Sequence, residues 1–132
     1  MIVREFIEFK RGASSDREVK EKLLGWRSGQ ILIIKDKDTA FRRLMAFSGI
    51  EESFGPDKDW SIKCLEIGHI SGDPMLVYIH FGFTENILIK RKPDLRIPTE
   101  EEAIVIEKAM KKPDYQKYIE KAEQKIGAKL FV

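Results

Sequence analysis

The 132-residue sequence predicts a single α+β domain spanning residues 1–132. The expected architecture is an antiparallel-dominated sheet of about five strands with about four helices. Three observations predict it. Residues 75–83 alternate, with Met75, Val77, Ile79, Phe81 and Phe83 on one face and Leu76, Tyr78, His80 and Gly82 on the other, the period of a half-buried strand. Ile31, Leu32, Ile33 and Ile34 form an unbroken apolar run, as in a strand covered on both faces. Ser15 with Glu18 and Thr99 with Glu102 form capping boxes, each opening a helix. The element order reads β-α-β-α-β-β-β-α-α, and strands grouped before helices favour α+β over a doubly wound fold.

Residues 2–9 are the first strand candidate. The helix opened by Ser15 carries Val19, Leu23 and Trp26 at helical spacing and ends at Gly25 or Gly29. The buried strand at 31–34 follows. Asp38 or Thr39 then caps a short helix with Ala40, Phe41, Leu44 and Met45 inward, stopped at Gly49. Residues 51–59 read as an acidic loop.

A three-stranded meander is expected over residues 60–92. Trp60, Ile62 and Cys64 keep one parity and Leu65 and Ile67 the other, so a bulge near Cys64 and Leu65 would bring both sets to one core face. Residues 71–74 (SGDP) make the first turn and residues 84–86 (TEN) the second. With that second turn, Phe83 pairs Ile87, Phe81 pairs Ile89, His80 faces Lys90 and Tyr78 faces Lys92. A shorter loop would set Lys90 opposite Phe81 on the core face, at the cost of burying an ammonium.

Pro93 and Pro98 bracket a connector. The helix opened by Thr99 runs to about Lys112 and breaks at Pro113. Asp114 caps the last helix, whose stripe is Tyr115, Tyr118, Ile119, Ala122 and Ile126, closed by Gly127. Residues 130–132 are an apolar tail.

Composition narrows the function classes. Lys and Arg number 24 against 22 Asp and Glu, a net charge of +2, too balanced for a dedicated nucleic-acid binder. The Lys and Glu richness is compatible with a thermophilic source. Cys64 is the sole cysteine, so thiols build neither an intrachain disulfide nor a zinc framework. Charges at Arg4, Glu5 and Glu8 interrupt any signal-peptide core, and no apolar run approaches a bilayer span, so a cytoplasmic protein is expected.

The meander's less apolar face carries the constellation with most chemistry. Tyr78, His80, Lys90 and Lys92, extended by Arg91, offer rings for stacking and cations for phosphate. The competing reading is a solvated face whose lysines guard the sheet edge. Residues 36–39 (DKDT) after a buried strand resemble the aspartate-nucleophile loop of haloacid-dehalogenase-like phosphatases over those positions alone. The threonine falls one place early and no downstream Lys and Asp pattern follows, so Asp38 is read as a helix cap. His69 and His80 sit on neighbouring strands without a converging third ligand, and no metal site is expected. Cys64 reads as core, and no serine lies in a nucleophile elbow. No glycine-rich nucleotide fingerprint occurs, and no cofactor is expected.

The expected function is therefore a non-enzymatic binding or adaptor module for a protein partner or small anionic ligand. A weak nucleic-acid-binding domain using the outer face of the 75–92 hairpin is the alternative. A small enzyme without a visible motif ranks third. The amphipathic C-terminal helix is compatible with a homodimer and lacks the strong basic bias of a membrane-surface helix.

Overall fold

A computed structural model describes residues 24–37, 39–52, 60–88 and 95–130. Expectations for residues 1–23, for Asp38, for residues 53–59 and 89–94, and for the tail at 131–132 lie outside the described residues. Among the described residues the class is α+β, with six strands and two α-helices. The strands are β1 (Ile31–Lys35), β2 (Arg42–Glu52), β3 (Trp60–Ser71), β4 (Leu76–Ile79), β5 (Thr84–Leu88) and β6 (Leu95–Arg96). The helices are α1 (Glu100–Met110) and α2 (Gln116–Ile126), separated by a short 3-10 turn at Pro113–Tyr115. One sheet runs β4-β3-β2-β1-β6, with β5 also on β3, and every pair is antiparallel.

The apolar run in β1 is covered on both faces, as expected. Ile31 and Ile33 join the core beneath the helices, with Leu44, Ala46, Leu65, Ile67, Ile70, Ile79, Ile106 and Ala122. Leu32 and Ile34 join the opposite core, with Met45, Phe47, Ile62, Cys64, Ile87, Leu24 and Trp26. Side chains alternate along a strand, so a sheet with two covered faces needs apolar residues at successive positions.

This constraint overturns the helix expected after Thr39. Residues 42–52 are strand, not helix, and pair β1 through Leu44 with Ile33 and β3 through Ala46 with Leu65. Gly49 does not stop a helix; it lies opposite Lys63 within the ladder. Leu44 and Ala46 face one core while Met45 and Phe47 face the other. The two parities in β3 are explained in the same way. Ile62 and Cys64 serve one core, Leu65 and Ile67 the other, and no bulge at Cys64 gathers them onto a single face. The register shifts instead between Leu44 and Met45 and between Phe47 and Gly49.

The second hairpin also gives way. Residues 84–86 do not turn; they begin β5, which places Glu85 opposite Cys64 and Ile87 opposite Ile62. β4 and β5 are successive parts of one outer run along β3, interrupted by an irregular crossing at residues 80–83. Backbone bonds from His80 to Ile67 (2.8 Å) and from Gly82 to Glu66 (2.9 Å) carry the pairing through the crossing. The crossing ends the alternation. Val77 and Ile79 pack on the helix-side core, but Phe81 and Phe83 are exposed, against the expectation that both are core residues.

The helices follow local rules more closely. Thr99 and Glu102 form the expected capping box. Ile106, Ala109 and Met110 of α1 and Ile119 and Ala122 of α2 are buried against the sheet. Gly127 ends α2 in the left-handed region at φ 77°, where glycine has no side chain to clash. Asp114 does not cap α2: it lies within the 3-10 turn, and Tyr115 occupies the cap position without a side-chain bond. Pro113 fixes that turn and leaves α2 to start directly from it.

Glu102 does more than cap. Its buried carboxylate accepts from Arg96 at 2.6 and 2.9 Å and from Arg42 at 2.9 Å, tying β2, β6 and α1 together. The Arg96 guanidinium chiefly holds its pKa well below the usual range, at about 2. A depressed carboxylate pKa contributes stability fully above the ordinary value of 4.5 and loses it as pH falls towards 2. Glu102→Gln is expected to cost about 2–3 kcal/mol at pH 7, discounted for the solvent around Arg96. The difference from the parent should shrink between pH 4.5 and 2 in urea melts. A pH-independent difference would contradict the charge assignment. Ile79→Ala should cost about 2–5 kcal/mol, whereas Phe81→Ala should cost under about 1 kcal/mol. Equal losses in thermal unfolding would return Phe81 to the core.

Candidate functional site

The β2–β3–β4 ladder sets Arg43, His69 and Tyr78 in one cross-strand row, on the sheet face away from the helices. His69 stacks on Tyr78 with ring centroids 4.9 Å apart and planes 21° apart. Phe41 meets His69 at 5.3 Å and His80 meets it at 5.8 Å. The result is a strip of four rings, in which Tyr78 is 43% exposed. Gly68 permits it: a Cβ there would collide with the carbonyl oxygen of Tyr78, so the β3–β4 approach needs glycine.

Arg43 organises the charges beside the strip. Its guanidinium donates to Glu85 in a two-pronged contact and lies 3.7 Å from both Glu66 and Asp36. The hydrogen bond to Glu85 chiefly raises the Arg43 pKa, so the cation is permanent. One cation therefore meets three carboxylates at this end of the sheet. That local balance disfavours an anion, although Tyr78 and His80 do share a face as expected. Lys90, Arg91 and Lys92, with the pairings expected for them, lie outside the described residues; the turn expected at 84–86 is strand instead. Burial pushes the Cys64 thiol up to about 12, which suits a core residue and not a nucleophile. Among the described residues, no group of three or more His, Cys, Asp or Glu side chains is arranged to hold a metal.

The second feature is the outer run from β4 to β5. β3 holds its inner side, and no strand pairs its outer side among the described residues. Leu76 is 55% exposed and Phe83 89% exposed, and Phe81 and Leu88 are also exposed along the same run. On the helix side, a groove of about 370 Å³ separates β4 from α1 and the turn after it, lined in part by Leu76, Val77, Val105, Lys108, Lys112 and Tyr115. Sequence reasoning missed Arg43, Glu85 and this groove. The groove joins residues 75–78 to residues 105–115, a juxtaposition that no local pattern marks. A further depression at the end of α2 is internally satisfied, with Glu123 accepting from the Leu130 amide at 3.1 Å and pairing Lys129.

Arg43→Met leaves three carboxylates facing one another. It should destabilise by about 1–2 kcal/mol at pH 7, since Glu85 is partly solvated. The loss should diminish in high salt, which screens the repulsion among the carboxylates, measured by urea melts at low and high salt. A loss that grows with salt would show that the arginine is not their counter-charge.

Among the described residues, no helix is long and apolar enough to cross a membrane. Comparison with family models, with curated proteins and with solved structures gave no match.

Proposed function

We propose that the protein is a binding module that engages a protein partner along the outer edge of the β4–β5 run. The observation that carries this reading is the exposure of Leu76, Tyr78, Phe81, Phe83 and Leu88 on a strand with no outer neighbour among the described residues. Edge strands of soluble proteins are normally protected by lysine, proline or a covering element. The sequence of β4 is LVYI, which contains neither charge nor proline. Exposed apolar side chains grouped on such an edge are the physical mark of an interaction surface.

Single-stranded nucleic acid is the second reading. Tyr78 and His80 would stack on bases, with Lys90, Arg91 and Lys92 on phosphate. The acidic side chains of Asp36, Glu66 and Glu85 around Arg43 count against it, because they repel phosphate next to the rings. The same repulsion counts against a small anionic ligand.

Selection of a phage-displayed random peptide library on the intact chain tests the proposal. The parent should enrich peptides that the Leu76→Ser, Phe83→Ser double variant does not. Both positions are exposed, so the variant should keep the parent's circular dichroism spectrum. Failure of the parent to enrich any peptide, with salt-sensitive binding of oligothymidylate, would favour the second reading.

A further inference from the structure

We infer that the partner contributes an extended acidic segment, added as a further strand on β4 and seated in the groove between β4 and α1. This rests on the protein-binding reading above and specifies which part of the edge is used and what chemistry it accepts.

The backbone supplies the first argument. His80 donates to Ile67 across the β3–β4 ladder, and Tyr78 lies opposite His69 in the same register. In an antiparallel ladder, inward and outward peptide groups alternate. The amides and carbonyls of Val77 and Ile79 therefore point away from β3, towards the open side. They form a ready template for an incoming strand.

The groove supplies the second. Its volume of about 370 Å³ falls in the range of sites that hold small ligands or a few peptide side chains. Leu76, Val77 and Val105 give it apolar walls, which suit every second side chain of an extended peptide.

Charge names the occupant. Lys108 and Lys112 line the groove opposite the strand, and neither pairs with a carboxylate among the described residues. Neighbouring Lys111 is already paired with Glu107 at 3.0 Å. The residues lining the groove include no acidic side chain. An extended segment whose groove-facing positions, every second residue, include both apolar and acidic side chains would satisfy the β4 backbone, the apolar walls and both ammonium groups together. A second copy of this chain meets these demands less well, since β4 brings no carboxylate of its own.

The test uses the full chain and two blocked eight-residue peptides with threonine at every second position; the groove-facing positions between are valine and glutamate in one peptide and valine and lysine in the other. Amide chemical shifts and calorimetry read binding. The glutamate peptide should bind and the lysine peptide should not, with shifts confined to residues 76–80 and 105–115. Lys108→Glu with Lys112→Glu should weaken the glutamate peptide about tenfold or more. These exposed positions tolerate the change without unfolding. Val77→Pro removes one outward amide and should abolish binding while leaving the inner ladder intact.

Equal binding of both peptides, or indifference to the lysine reversal, would overturn the acidic specificity and leave the edge reading standing. Binding that shifts only the Arg43–His69 face would overturn strand addition. Failure of both peptides, with the phage selection still positive and lost in a Phe83→Ser single variant, would place the partner on the edge outside this groove and overturn the inference. A concentration-dependent dimer in sedimentation that Val77→Pro dissociates would assign the groove to a second copy and overturn the inference.

Discussion

Continuous pairing of β3 on both sides is the constraint on which the rest of the structure depends. β3 is largely buried, and a buried peptide group left without a partner costs about as much as a lost hydrogen bond. β2 satisfies one side of β3, and the run from β4 to β5 satisfies the other. The register shifts between β2 and β3 and the crossing at residues 80–83 let two long neighbours follow it. Since residues 84–88 are needed to complete that pairing, they cannot turn back to shield β4. Among the described residues, the open edge is thus a consequence of how β3 is satisfied.

The same constraint separates what was legible in the sequence from what was not. The capping box at Thr99, the stripe through Ile119 and Ala122, and the stop at Gly127 are encoded within a few residues and were readable. β1 was readable because four consecutive branched or bulky apolar residues fit few other environments. β2 was not. Arg, Leu, Met and Ala favour helix in isolation, and its apolar residues on both faces give no clear period. Pairing on both sides overrides a propensity worth only tenths of a kcal/mol per residue. Likewise, Thr-Glu-Asn has turn-like composition, yet β3 recruits it as strand.

The candidate site was half legible for a related reason. Tyr78 and His80 share a face because alternation holds as far as the crossing. Their neighbours depend on register, and a register is set by long-range pairing. Only the ladder shows that His69 stands opposite Tyr78 on the β3 side. Likewise, only the ladder brings Asp36, Glu66 and Glu85 around Arg43. Among the described residues, the charges beside the rings are thus one arginine and three carboxylates, a grouping that the linear sequence does not display.

Two arginine–carboxylate hubs divide the labour around this sheet. Glu102 with Arg42 and Arg96 sits where α1 meets β2 and β6, so it fixes the helix against the sheet. Arg43 with Glu85 and Glu66 links β2 to β3 and β5, spanning the outer run from the opposite face. α1, one wall of the β4–α1 groove, is thereby fixed to the sheet, and β4, the other wall, is paired along β3. On the proposed reading, walls held in this way would lower the ordering cost that an incoming strand meets. Selectivity would then come from the lysines: a segment lacking acidic residues could still pair its backbone with β4, but it would draw two ammonium groups out of water without compensation.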